Sequence, residues 1–135
     1  MNCISPNSAE QKRRAMLEDS LRLLHKQGYE DLYVNKASEG RLCLETGLPD
    51  KAMHPDIIAT RPGCRGPLLG VVESPSDLGE DACGRRWQAF ASWAKAHHGQ
   101  LMVFVHQEDV VRAALIAKYW HLDPCILVPV GQAYH

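Results

Sequence analysis

With 135 residues, 45% of them hydrophobic and 23% charged, the chain sits inside ordinary globular usage, which excludes disorder as its organising state and makes one domain, 1–135, the simplest partition. A formal net charge of −1 removes bulk charge as an argument for a nucleic-acid partner, so only a local basic patch can make that case. No apolar run approaches the roughly 18 residues of a membrane span, the N-terminus lacks a secretory pattern, and the cysteines at 3, 43, 64, 83 and 125 form no Cys-x-x-Cys pair, which fits reduced thiols in a cytoplasmic protein.

In chain order, Ser8 and Gln11 resemble a capping box. Leu17, Leu21 and Leu24 then recur at helical spacing, with Met16 and Leu23 on a second row, and Gly28 supplies a stop. This predicts an amphipathic helix over 9–27 that packs its leucine side on a sheet. Lys12, Arg13 and Arg14 in its first turns read as solvated charges. Tyr29 to Asn35 predicts a short strand. Arg41 to Thr46 reads as strand or loop, and Leu48 to Met53 as irregular.

Residues 54 to 75 are the stretch around which the chain is organised. Two runs rich in β-branched residues, His54 to Thr60 and Leu68 to Pro75, flank the turn-forming loop Arg61-Pro62-Gly63-Cys64-Arg65-Gly66-Pro67, as in a β-hairpin with a longer connection. Pro75 cannot donate a ladder bond and ends the pairing. Each run carries one carboxylate, Asp56 and Glu73. Symmetric pairing about the loop centre, between Cys64 and Arg65, would set the two opposite each other on one face. Like charges so placed need something positive between them, and a divalent cation is one natural candidate.

Cys83, Trp87, Phe90, Ala91 and Ala94 lie at helical spacing and predict a core-facing helix from Glu80 to His98, ended by Gly99. Leu101 to Val105 has the length and continuity of a doubly buried strand. Glu108 to Trp120 predicts a third helix and Cys125 to Val130 a last strand. Strand, helix and strand over 101–130 imply a right-handed crossover in one sheet. The fold class is therefore α/β, a mixed β-sheet flanked by helices.

Pro55-Asp56 at the start of the second strand, Val71-Val72-Glu73 at the end of the third and the order of elements from residue 9 to 106 resemble the PD-(D/E)XK nuclease superfamily, the restriction-endonuclease-like fold. Its core is α-β-β-β-α-β, here followed by an extra C-terminal helix and strand. The resemblance implies metal-assisted phosphodiester hydrolysis of nucleic acid. Asp56 and Glu73 would be the catalytic carboxylates holding Mg²⁺ or Mn²⁺, with the backbone carbonyl of Ser74 completing the shell. In the superfamily a lysine follows the second acidic residue by two positions. Here that position is Pro75; if Glu73 takes the lysine position instead, the acidic position is Val71. Lys36 and Lys51 are the places from which a lysine could have migrated. The resemblance thus implies slow or absent cleavage. It also points to the helix carrying Arg85, Arg86, Trp87 and Gln88 as a place for further polar groups, and to Glu18 of the first helix as an occasional member of the metal shell.

Read without the resemblance, Asp56 is a turn or strand-entry aspartate, Glu73 a solvent-facing strand end or a cap for the following turn, and Glu18 a surface glutamate. Arg61, Arg65, Arg85 and Arg86 form a candidate phosphate-binding rim or are solvated. His97 and His98 are adjacent and cannot share a helix face as a zinc pair does. His54 and His106 lie near the expected site. The rival function is a non-catalytic module that uses an exposed strand edge or helix to bind a partner or a second copy of itself.

Overall fold

The computed structural model describes residues 8–34 and 55–131. The sequence readings for 35–54, including Lys36, the 41–46 segment, Lys51 and His54, lie outside the described residues.

The elements follow the expected order. Helix α1 (Ser8–Lys26) leads to strand β1 (Glu30–Val34), then β2 (Ile57–Thr60), β3 (Leu68–Glu73), α2 (Glu80–Ala96), β4 (Gln100–His106), α3 (Val110–Tyr119) and β5 (Leu127–Val130). Short 3₁₀ turns at Gln107–Asp109 and Pro124–Ile126 introduce α3 and β5. They fill the first residues that the sequence assigned to those two elements.

The five strands form one mixed sheet in the order β1-β2-β3-β4-β5. β1, β2 and β3 pair antiparallel, while β3–β4 and β4–β5 are parallel. Parallel neighbours need a crossover, and α2 and α3 supply the two. The pleat then sorts the side chains. Leu69 and Val71 of β3 join Trp87 and Phe90 of α2, Val103 and Val105 of β4, and Ile116 and Ala117 of α3 in one cluster. Leu68 and Val72 join Met16 and Leu24 of α1 with Ile57, Phe104 and Val130 on the opposite side. The sheet is thus covered by α1 on one face and by α2 and α3 on the other, which is why β3 is buried along its whole length.

Helix ends show where the sequence reading was too simple. α1 closes as expected: Gly28 adopts φ +92°, Gly28 N–H donates to His25 O, and Tyr29 N–H donates to Leu24 O. α2 closes one residue before the predicted glycine. His98 takes the left-handed position at φ +60°, and Gly99 N–H donates to Ala94 O. Gly99 is needed for a different reason, since a Cβ there would stand 2.0 Å from Pro67 O. That close approach lets Gln100 N–H donate to Pro67 O, tying the β2–β3 loop to the start of β4.

Candidate functional site

The end of β3 brings together side chains from four elements. The hairpin register decides how. Ile57 pairs with Gly70, Ile58 with Leu69 and Ala59 with Leu68. This places Asp56 level with Val71, so it stands diagonally from Glu73 and not opposite it as symmetric pairing about residues 64–65 required. The reason is local. Asp56 N–H still donates to Gly70 O at 2.9 Å, but its carboxylate folds across the strand end, and Oδ2 accepts the Val72 N–H at 2.8 Å. A side chain takes the acceptor's role that the departing β2 backbone vacates.

The charge balance comes from arginines. Arg13 of α1 donates from Nη2 to Asp56 Oδ1 at 2.5 Å, and its Nε lies 3.5 Å from Asp77 Oδ2. Arg86 of α2 donates from Nη2 to Glu73 Oε2 in a short ion pair, and the Trp87 indole N–H donates to the same oxygen at 2.8 Å. Glu73 is 2% exposed while its partner Arg86 is 31% exposed, so the guanidinium roofs a carboxylate that has left water. The other pair is more open, with Arg13 37% and Asp56 21% exposed.

Burial drives Glu73 above the ordinary carboxylate range; Arg86 and Trp87 pull it back without cancelling the shift, and the nearby charge of Asp56 adds to it. For Arg86, burial works against the charged form, yet Glu73 outweighs it and keeps the pKa above the usual arginine value. Arg13 behaves alike, with burial opposed first by Asp56 and then by Asp77 and Glu73. Two carboxylates and two guanidinium groups therefore meet at the end of β3. Cys83 sits beside them, buried, with its thiol pushed up to about 11 by burial and then by Glu73, which favours the protonated thiol at neutral pH.

Ser74 is buried, its hydroxyl donates to Asp77 Oδ2 at 2.6 Å, and its carbonyl accepts the Asp77 N–H at 2.9 Å. That turn is the local consequence of Ser74-Pro75-Ser76-Asp77 following the strand. The donor set does not fit a divalent cation in this arrangement. Both oxygens of Asp56 are engaged, Glu73 Oε2 accepts twice, and among the described residues no three His, Cys, Asp or Glu side chains are grouped to hold a metal.

The remaining expected residues divide by position. Arg61 and Arg65 lie in the loop joining the far ends of β2 and β3, at the opposite end of the strands from Asp56 and Glu73. They do not share a rim with Arg86, whose guanidinium is turned onto Glu73. Arg61 stacks over the Tyr29 ring at 4.8 Å and reaches Gln27 O, whereas Arg65 and Arg85 are exposed. Glu18 is exposed. His97 stacks on Trp93 at the end of α2. His106 is buried at the end of β4, where its Nδ1 accepts the Glu108 N–H and Gly131 packs against the ring.

The residue that sequence reasoning missed is Arg13. Beside Lys12 and Arg14 it reads as a solvated cation, yet it precedes Met16, Ser20 and Leu24, the fully buried row of α1, by three, seven and eleven positions. A cation at that spacing on the covered face is a legible signal of a buried partner. No family model matches the chain, and neither a curated protein nor a solved structure matches it.

Proposed function

We propose that the chain is a restriction-endonuclease-like domain, of the lineage of metal-dependent nucleases, in which two arginines occupy the charge-balancing role that a divalent cation plays in that superfamily. It works as a nucleic-acid-associated interaction module and not as a hydrolase. The order of elements supports the fold assignment: a helix, a three-stranded antiparallel meander, a helix, and a strand parallel to the third. So does the position of the two acidic residues, one entering the second strand and one ending the third. The observation that carries the loss of catalysis is the pairing of both carboxylates with arginines, Asp56 with Arg13 and Glu73 with Arg86. With Pro75 at the position of the family lysine, that position offers no side-chain donor to orient an attacking water.

In this reading Asp56 and Glu73 hold α1 and α2 to the ends of the interior strands β2 and β3. Nucleic acid is the partner that the lineage implies, with exposed Arg65 and Arg85 as phosphate contacts at separate places on the surface. Incubation with plasmid and single-stranded DNA plus Mn²⁺, beside Asp56→Ala, tests the proposal. No cleavage above that variant is expected, and a mobility shift should weaken with salt and be indifferent to the cation. Robust Mn²⁺-dependent cleavage that disappears in Asp56→Ala overturns it.

A further inference from the structure

Helix α3 is more apolar than a surface helix needs to be. Of its ten residues only Arg112 and Lys118 carry charge. Ala113, Ile116 and Ala117 face the sheet and are buried. On the other side Val111, Leu115 and Tyr119, one turn apart, are 75%, 64% and 75% exposed and form a continuous ridge. Three of the four large hydrophobic residues exposed among the described residues belong to this ridge. A helix that is apolar all round is ordinarily covered on both sides. Along one flank runs a groove of about 630 Å³ lined by Asp81, Arg112, Leu115, Ile116, Tyr119 and Trp120.

We propose that this ridge is the interface of a homodimer in which α3 packs antiparallel against α3 of a second copy, across a twofold axis at Leu115. Self-complementarity points to this occupant. Leu115 is the midpoint of the ridge, so the twofold sets it against the partner's Leu115 and sets small Val111 against the partner's large Tyr119. The same operation carries Tyr119 toward the partner's Arg112, a contact between a cation and an aromatic face. The groove wall holds one acid and one base, Asp81 and Arg112; Arg112 Nη2 donates to Leu78 O at 2.8 Å, which fixes the guanidinium at the groove, and each copy offers the other an opposite charge. The formal net charge of −1 puts no repulsion between the copies.

Area is consistent with this assignment. Three large side chains exposed to this degree present on the order of a few hundred Å² of apolar surface, the scale at which a patch on a monomer marks an interaction site. Together with the groove walls, and counted on both copies, it reaches the roughly 1,000 Å² that a specific interface requires. A nucleic acid fits the ridge poorly, because a phosphate backbone seeks cations that Val111, Leu115 and Tyr119 do not supply.

Sedimentation equilibrium on the full chain tests the interface. The wild type is expected to sediment as a dimer, and Leu115→Glu, which places two carboxylates at the axis, to raise the dissociation constant at least about tenfold. Residue 115 lies outside the core, so the circular-dichroism spectrum should not change. If Leu115→Glu does lose that spectrum, Tyr119→Lys carries the same expectation. A wild type that is monomeric up to its solubility limit overturns the proposal, as does a dimer that withstands a folded variant. Neither outcome bears on the carboxylate–arginine cluster, which lies at the end of the central strand β3.

Discussion

Glu73 shows how one residue sets the character of the site. An ionised carboxylate withdrawn from water is tolerated only with a partner, and here the partner is Arg86, with Trp87 beside it. Arg86→Met leaves the carboxylate with the Trp87 N–H but no cation and should cost about 3 kcal/mol at neutral pH, most of it recovered in the double variant with Glu73→Gln. Urea unfolding of the four proteins of that cycle checks both. The pH dependence has a definite sign. Burial raises Glu73 above its ordinary 4.5 in the folded state, so the folded chain holds this proton more tightly than the unfolded one. The Glu73 contribution is therefore most favourable below pH 4.5 and is lost as pH rises through the folded value. Relative to Glu73→Gln, the wild type should lose ground over that window. If it gains, Arg86 and Trp87 outweigh burial.

At the scale of elements, apolar periodicity carried most of the information. The row of Cys83, Trp87 and Phe90 predicted a buried helix face and is one, and the run Leu101–Val105 predicted a doubly covered strand. What the sequence hid was register and ion pairing. A hairpin loop of seven residues does not fix which residues face each other, and Asp56 bonds in the ladder's place through its side chain, which no alternation pattern reveals. Arg86 could be read as a phosphate contact because its distance in sequence from Glu73 says nothing of the α2–β3 packing that joins them. The contact between α2 and the chain beyond α3 offers a test of element packing. Gly84 lies inside α2, where alanine would ordinarily be favoured by up to about 1 kcal/mol. A Cβ there would stand 2.0 Å from Trp120 Nε1. Gly84→Ala should therefore lower the thermal midpoint and shift the tryptophan emission. A raised midpoint with unchanged emission would show that Trp120 does not rest on α2.

For the whole molecule, the end of the central strand β3 is where α1, β2, β3 and α2 meet, and the two ion pairs connect them. The sequence located the acidic half of that junction, Asp56 and Glu73, because carboxylates stand out in apolar strands. The basic half was harder to read: the spacing of Arg13 from Met16, Ser20 and Leu24 marks it as turned inward, but not which carboxylate it meets. Positive charge at this junction is supplied by Arg13 and Arg86 of the chain itself. Titration calorimetry with Mn²⁺ on the wild-type protein should therefore show no saturable heat, with the same baseline for wild type and Asp56→Asn. Stoichiometric binding in the wild type that vanishes in Asp56→Asn would mean that a cation, and not the arginines, balances the carboxylates.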